Sequence, residues 1–207
     1  AESWPTQMCV RPVTGSGETF FRFESDAVEG VQNCPTHFYT QMDGSFYVVP
    51  PAFPDTVRDF RGVLASRVIW ADAEHGSDTT GDGTEGNPWR TLQYASDQIA
   101  NSNPTIIFAK DGTYDEGGSK VYEASNRVAF AESRTVLLKS VNGCSKTEIV
   151  GAADEDTYPE LQVYYPKMGP KAMRGVCFNK TSGGCAVQGF TIRDCHPAQK
   201  YGTDGKP

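Results

Sequence analysis

The sequence predicts a mostly β fold, and three observations support that prediction. The 207 residues include 21 glycines and 13 prolines, which favour many turns and short elements over long helices. Short runs of β-branched and aromatic residues are bounded by turn residues, as in Val68-Ile69-Trp70 and Thr105–Phe108. No stretch approaches the roughly 20 apolar residues of a membrane helix, so we expect no membrane span.

Residues 1–66 are predicted to form a small β-rich module that ends in a connector. In FYTQMDGSFYVV, Asp43-Gly44 separates two aromatic-rich runs, which predicts a hairpin because both turn positions tolerate positive φ. Cys9 and Cys34 lie in this module without another cysteine nearby, so we expect them to form a disulfide. Three prolines between Pro50 and Pro54 indicate the connector.

The second part, residues 67–207, opens with the strand at Val68–Trp70 and a Gly/Asp-rich segment over 76–86 that is predicted to be irregular. A helix is expected around residues 89–101. Its predicted N-cap is Asn87, with Pro88 at the first helical position. One face of this helix would carry Leu92, Ala95 and Ile99.

This order of elements resembles the first segment of right-handed parallel β-helix proteins, the pectin-lyase-like superfamily. The likeness is carried by ADAEHGSD, GTEGNPWRTLQYASDQI and KDGTY. Further on, VLLKSVNGCSKTEIVGA and RGVCFNKTSGGCAVQGFTIRDC are similar to the rungs of large bacterial surface β-helix repeat proteins. The resemblance covers residues 68–197 and implies that the second part begins a right-handed parallel β-helix, with the helix capping its first coil. Because the superfamily holds lyases, hydrolases, tailspikes and adhesins, it implies a fold rather than an activity.

The last four cysteines would cross-link such a coil. Aligning NGCSKTEIVG with GGCAVQGFTI places Cys144 and Cys185 at equivalent positions on successive rungs. Rungs lie about 4.8 Å apart and disulfides favour Cα separations of roughly 4.4–6.8 Å, so we expect these two to pair. By elimination, Cys177 would pair with Cys195. The residues between the rungs, 152–173, are expected to form an excursion loop.

Cysteine usage and charge indicate where the protein works. Six cysteines without a C-x-x-C spacing favour disulfides over zinc, and the start at Ala1 suits a mature exported protein, so we expect secretion or display on the extracellular surface. The formal charge is −7, with no basic run that would neutralise a row of phosphates, which argues against nucleic acid as a partner. The same charge argues mildly against a polyanionic glycan.

Candidate metal ligands lie in GSDTTGDGTEGN. Asp78, Asp82 and Glu85 offer hard carboxylate oxygens that suit calcium. The spacing lacks the full ligand set of an EF-hand loop, and in the superfamily this segment normally connects to the cap helix. We therefore favour a structural role for the three residues and expect no cofactor and no metal site.

The candidate catalytic residues do not form a recognisable catalytic pattern in the sequence. Pectate-lyase-type chemistry would need a basic residue such as Arg193, but no acidic cluster accompanies it, which favours a solvated arginine. Asp154, Glu155 and Asp156 are adjacent on the excursion and are interpreted as a solvated loop tip rather than a hydrolase pair. The histidines are spread over different elements, so no triad is predicted: His37, His75 and His196.

Three tyrosines of the excursion are the predicted ligand-binding residues. Tyr158, Tyr164 and Tyr165 would project flat rings that stack on sugar faces or enter a partner's pocket. The alternative is that these rings fold back on the coil as an apolar lid.

The sequence favours an exported or cell-surface scaffold with a structural, adhesive or assembly role, for which a polysaccharide is a candidate ligand. The alternative is the N-terminal portion of a polysaccharide lyase or glycoside hydrolase whose catalytic rungs lie beyond residue 207, which leaves open whether the protein is an enzyme. The tail HPAQKYGTDGKP has too few apolar residues to cover a coil. We therefore expect the edge at residues 186–192 to be continued by further rungs or by another protein subunit.

Overall fold

The fold is mostly β in the part of the chain that the structure describes. This computed structural model describes residues 8–25, 37–42, 44, 46–48, 60–156, 167–180 and 184–198. The chain divides into two compact units, Ala1–Ser66 and Arg67–Pro207. Within the described residues there are fifteen strands and one helix of six residues. That part of the chain contains no helix of the length and apolar character that crossing a membrane requires.

The first unit contains two small antiparallel sheets. Its strands are β1 (Met8–Val10), β2 (Phe20–Ser25), β3 (His37–Phe38), β4 (Phe46–Val48) and β5 (Phe60–Leu64). Strand β1 pairs with β4, and β2 lies between β3 and β5. The predicted hairpin at Asp43-Gly44 is therefore wrong, because the strands on its two sides belong to different sheets. Gly44 still forms a turn, with φ of +79° and its N–H donating to the Gln41 carbonyl.

The second unit is built on parallel strands. Its elements are β6 (Arg67–Ala71), α1 (Leu92–Asp97), β7 (Thr105–Ala109), β8 (Gly112–Tyr114), β9 (Ser119–Val121), β10 (Ala124–Phe130), β11 (Val136–Ser140), β12 (Thr147–Val150), β13 (Met173–Phe178), β14 (Cys185–Gln188) and β15 (Thr191–Arg193). The strands predicted at Val68–Trp70 and Thr105–Phe108 are confirmed as β6 and β7.

Three sheets are visited in a repeating order. The first sheet has the strand order β6-β7-β11-β14, the second β8-β12-β15, and the third contains the parallel pair β10-β13 with β9 added antiparallel. From β7 onward the chain passes through the first, second and third sheets twice. It then returns to the first and second sheets with β14 and β15.

The three sheets share one apolar core. In the first sheet Ile69, Ile107 and Leu138 lie directly opposite one another in register, and all three are buried. Ile149 of the second sheet and Phe130 of the third belong to the same cluster. Strand side chains alternate between two faces, so one face of each sheet supplies this core.

The predicted rung alignment is wrong by one strand. Cys185 begins β14 and pairs in register with Val136 of β11, whereas Cys144 lies in the turn between β11 and β12. The strand that follows Cys144 is matched instead by β15, with Glu148 opposite Thr191. The two cysteines are therefore not at equivalent positions, which removes the geometric basis for joining them.

The described cysteines of the second unit are free thiols: Cys144, Cys177, Cys185 and Cys195. The predicted Cys144–Cys185 and Cys177–Cys195 disulfides are therefore absent from the structure. The thiol of Cys185 donates to the Arg134 carbonyl at 3.4 Å, and that of Cys195 to the Arg193 carbonyl at 3.3 Å. Cys34 lies outside the described residues, so its pairing with Cys9 stays a prediction.

The helix is shorter than predicted because a loop holds its approach extended. The N–H of Trp89 donates to the Trp70 carbonyl, and the N–H of Asp72 donates to the Trp89 carbonyl, so residue 89 lies along β6. The observed N-cap is Thr91, whose hydroxyl accepts from the N–H of Tyr94. The carboxylate of Asp78 accepts from the N–H groups of Arg90 and Thr91 and from the Thr91 hydroxyl.

The helix covers one end of the core. Its apolar residues Leu92 and Ala95, with Ile99 just beyond it, belong to the core cluster. Its polar side chains bind the backbone of Ala129 in β10: Gln93 Oε1 accepts from the N–H at 2.7 Å, and the Ser96 hydroxyl donates to the carbonyl at 3.0 Å. The helix thus satisfies strand groups that have no strand partner there.

Candidate functional site

A groove opens where three neighbouring strands of the first sheet end. Strands β6, β7 and β11 are parallel and adjacent, so the residues that follow them lie at the same edge of the sheet. The groove has a volume of about 400 Å³. It is lined by Trp70, Asp72, Glu74, His75, Glu85, Lys110, Asp111, Val141 and Asn142. We call it the strand-end groove.

Trp70 forms the aromatic wall of the strand-end groove. Its neighbours Ile69 and Ala71 point into the core, so alternation along β6 places the indole on the opposite face. Trp70 lies directly opposite Phe108 in register, and the two ring centroids are 4.9 Å apart with the planes tilted by 33°. This contact fixes the indole, because aromatic pairs at such a distance attract one another.

Asp72 provides a carboxylate that is held ionised. Burial alone would raise its pKa, but the N–H groups of His75 and Glu74 donate to Oδ1 and the Lys110 ammonium lies 3.6 Å from Oδ2. These interactions, with the nearby His75 ring, outweigh burial and hold the pKa of Asp72 below its usual value. Asp72 is therefore an acceptor at neutral pH.

Lys110 and Asn142 connect successive turns of the groove. The Lys110 ammonium donates to the Glu85 carbonyl at 3.0 Å, and its backbone N–H donates to the Ala71 carbonyl. The Asn142 amide donates to Asp111 Oδ1 at 3.0 Å. The strand ladder thus continues one residue into the turns, which keeps the lining residues in a fixed spacing.

Tyr114 lies on the core side of the groove and contacts the strand ends that form it. Its ring is buried in the core, and its hydroxyl donates to the carbonyl of Ala71 at 3.0 Å or of Lys110 at 3.1 Å. Burial, reinforced by the charge of Asp72, raises the pKa of Tyr114. The phenol therefore stays protonated and ties the ends of β6 and β7 together.

The charge of the groove limits what it can bind. Four carboxylates and one ammonium line it, together with an amide, an imidazole and the indole. Among the described residues, the carboxylates of Glu74 and Glu85 have no hydrogen-bond or ion-pair partner. An anionic ligand would meet net negative charge, whereas a ligand with hydroxyl groups would find both donors and acceptors.

The predicted ligand-binding tyrosines lie outside the described residues: Tyr158, Tyr164 and Tyr165. The two ends of their excursion are joined, since the N–H of Asp154 donates to the Lys167 carbonyl and that of Ala152 to the Met173 carbonyl. The interpretation of Asp154 as a solvated loop tip is wrong. It is buried, and its carboxylate accepts from the N–H groups of Asp156 and Lys171, so it links the described residues on the two sides of 157–166.

The acidic loop residues have separate positions. Asp78 binds the start of the helix, while Asp82 Oδ1 accepts from the N–H and hydroxyl of Thr84, which lowers the pKa of Asp82. Glu85 lines the strand-end groove. In the described part of the chain there is no group of three or more histidine, cysteine, aspartate or glutamate side chains placed to hold a metal ion. The hydrogen bonds of Asp78 join the loop to the start of the helix, and those of Asp82 stay within the loop.

Arg193 lies in an ion pair on the second sheet. Its guanidinium contacts Glu148 Oε2 at 2.9–3.0 Å and also binds Asp194. Hydrogen bonds from Glu148 and then Asp194 raise the pKa of Arg193. A base that abstracts a proton must be neutral, so these partners make Arg193 unsuited to that role.

The sequence contains a signal for the strand-end groove that none of the predictions above includes. Each of three apolar runs ends in a short polar turn: WADAEH, FAKDG and KSVNG. In parallel register these turns stack, which brings together Asp72, Lys110 and Asn142. The pattern is visible only once the register between the runs is known.

Comparisons with protein-family models, with curated proteins and with solved structures find no match to this chain.

Proposed function

We propose that this chain belongs to an extracellular scaffold built as a right-handed parallel β-helix, with a structural or adhesive role that depends on assembly along the coil. The chain's repeated passage through the same three sheets, whose strands from successive passes pair in parallel around one core, supports the β-helix. Such stacks gain stability from contacts between neighbouring coils, and their ends must be covered.

The main support for the assembly role is that side chains paired in register on neighbouring strands differ greatly in their exposed fraction. Ile149 is 0% exposed, whereas Ile192, its partner in register on the last strand of the second sheet, is 48% exposed. Phe130 is 0% exposed, and Phe178, its partner in register on the third sheet, is 47% exposed. A further coil in the same register would bury both rows, as it does one coil earlier.

We propose that further rungs or another protein subunit cover these two positions. The test is sedimentation of the 207-residue chain over a wide range of concentrations. We expect self-association that the double substitution Ile192→Lys with Phe178→Lys removes. Val13→Lys is the matched control, because Val13 is an exposed apolar residue of the first unit, and it should leave association unchanged. A chain that stays monomeric at every concentration contradicts the assembly role.

The alternative is the N-terminal portion of a polysaccharide lyase or glycoside hydrolase whose catalytic rungs lie beyond residue 207; within the described residues, Asp72 and Arg193 are poorly suited to that chemistry. A hydrolase needs one carboxyl with a raised pKa as general acid, but the partners of Asp72 hold its pKa low. A lyase needs a basic residue that can lose a proton, and the ion pair of Arg193 opposes that loss.

A further inference from the structure

We propose that the strand-end groove binds a neutral saccharide, with the Trp70 indole as the stacking surface. This inference names a ligand for the adhesive role proposed above. It does not depend on assembly through Ile192 and Phe178, because the groove is lined only by residues that follow or belong to the first three strands of the first sheet and by the loop beside β6.

The indole is the first element of the argument. A flat ring that is already held in place loses little conformational freedom when a ligand binds. The favourable stacking energy is therefore hardly offset by an entropy cost of ordering the side chain. The 4.9 Å contact with Phe108 holds the Trp70 ring, and the backbone N–H of Trp70 donates to the Gly83 carbonyl at 2.9 Å, which fixes the main chain that carries the ring. The C–H face of a sugar ring is apolar and flat enough to lie against an indole.

The polar groups around the indole are the second element. Glu74 and Glu85 offer carboxylates without partners among the described residues, and the Asn142 amide has a second N–H beyond the one given to Asp111. A sugar hydroxyl both donates and accepts a hydrogen bond, so it matches a lining that mixes these groups. The groove volume of about 400 Å³ falls within the roughly 300–1,000 Å³ typical of small-ligand sites.

Charge decides between saccharide classes. Four carboxylates against the single ammonium of Lys110 disfavour uronic acids and sulfated sugars. Asp72 is already bound by two N–H groups and Lys110, and Asp111 by Asn142, so Glu74 and Glu85 are the lining carboxylates left to accept from the hydroxyl groups of a sugar. An uncharged polyhydroxylated ligand fits both constraints.

The experiment titrates the full chain with four neutral oligosaccharides, derived from cellulose, xylan, mannan and chitin. An oligogalacturonate serves as the anionic probe and a chitosan oligomer as the cationic probe. Calorimetry gives the affinity, and tryptophan fluorescence reports contact with the indole. We expect at least one neutral probe to bind and to change the fluorescence. Trp70→Ala should weaken that binding by about tenfold or more, the loss typical of a central aromatic contact.

Two further variants keep the test independent of folding. Glu74→Gln and Asn142→Ala are changes at the exposed rim of the groove and should each weaken binding while the far-UV circular dichroism stays unchanged. Tyr122→Ala is the control, because Tyr122 is an exposed aromatic residue outside the groove lining, and it should bind as the native chain does.

Several outcomes would overturn the inference: no binding of any neutral probe, tighter binding of the chitosan oligomer or the oligogalacturonate, or full affinity in the Trp70→Ala protein. The variant with lysine at Ile192 and Phe178 separates this inference from the assembly role. It should lose self-association and keep saccharide binding, so each proposal fails on its own measurement.

Discussion

The two ends of the second unit differ in how the parallel strands stop. At the first end, the loop before the helix donates to and accepts from β6, and the helix binds Ala129 of β10 through two side chains. At the other end, Ile192 and Phe178 are about half exposed on the last described strands of the second and third sheets. Closing a stack of parallel strands therefore requires a separate segment, since the strands themselves always offer another edge.

The closing segment depends on glycines at points of close backbone approach. A Cβ at Gly76 would lie 2.4 Å from the Trp89 carbonyl oxygen and 2.5 Å from that of Asp72. A Cβ at Gly83 would lie 2.4 Å from the Trp89 indole nitrogen, and Gly83 also has a φ of +79°. The segment that looks irregular in sequence is therefore packed tightly against β6.

The largest loss of stability is expected for Ile149, and its partner in register, Ile192, provides the comparison. Ile149→Ala should lower the free energy of unfolding by about 3–5 kcal/mol, because it leaves a cavity in the core, whereas Ile192→Ala should cost less than about 1 kcal/mol. Chemical denaturation of both variants measures the difference. If a further coil or subunit is present, the cost of Ile192→Ala should rise towards that of Ile149→Ala. Equal costs in the isolated monomeric chain would contradict the contrast between the ends.

The next prediction disrupts the first end of the second unit, which the loop before the helix covers and which we call the closed end. Gly76→Ala should lower the free energy of unfolding by about 2–3 kcal/mol, because the added methyl meets two carbonyl oxygens of the backbone rather than a flexible side chain. Gly86→Ala is the matched control in the same loop, since a Cβ there has nothing within 4 Å, and it should change stability by less than about 0.5 kcal/mol. Urea unfolding measures both. Similar stabilities for the two variants would mean that the loop is not packed as described.

The sequence predicted the strands of the second unit better than the ends of its helix. Runs such as Val68–Trp70 and Thr105–Phe108 are apolar and flanked by turns, so their type could be assigned locally. The helix start could not, because Asn87 and Pro88 suit a helix as residues but are bound to the loop, and Trp89 after them is bound to Trp70 of β6. Asp78 contributes to that start from thirteen residues before Thr91, beyond the reach of any capping pattern.

The cysteine alignment and the strand-end groove could not be predicted correctly, because both depend on which strands pair and in which register. The alignment of Cys144 with Cys185 relied on a shared Gly-Cys pair, but that pair precedes β12 at its first occurrence and β14 at its second, and these strands lie in different sheets. The strand-end groove depends on the same information. Asp72, Lys110 and Asn142 are each more than 30 residues apart in sequence, and only the pairing of β6, β7 and β11 brings them to one edge.

The smallest loss of stability is expected at low pH, where Asp72 at the closed end becomes protonated. Asp72 connects β6 to the closing loop, since its N–H donates to the Trp89 carbonyl and its carboxylate accepts from two N–H groups. Although burial opposes it, these bonds and Lys110 hold the pKa of the folded state below the value of about 3.9 in an unfolded chain. Below that value the unfolded chain binds more protons than the folded chain. The contribution of Asp72 is therefore complete above about pH 4 and is lost as the pH falls through its folded pKa.

Asp72→Asn tests this sign. Asparagine keeps an oxygen for the two N–H groups but cannot titrate, so the stability of the variant should fall less between about pH 4 and pH 2 than that of the native chain. Urea unfolding at a series of pH values measures the two slopes, and the carboxyl carbon shift of Asp72 in the native chain gives its pKa directly by NMR. Parallel slopes, with a carboxyl that titrates at or above about 3.9, would mean that the N–H bonds at the closed end do not outweigh the burial of Asp72. A shallower slope together with a depressed pKa would instead place part of the acid sensitivity of the fold at the end that the loop closes.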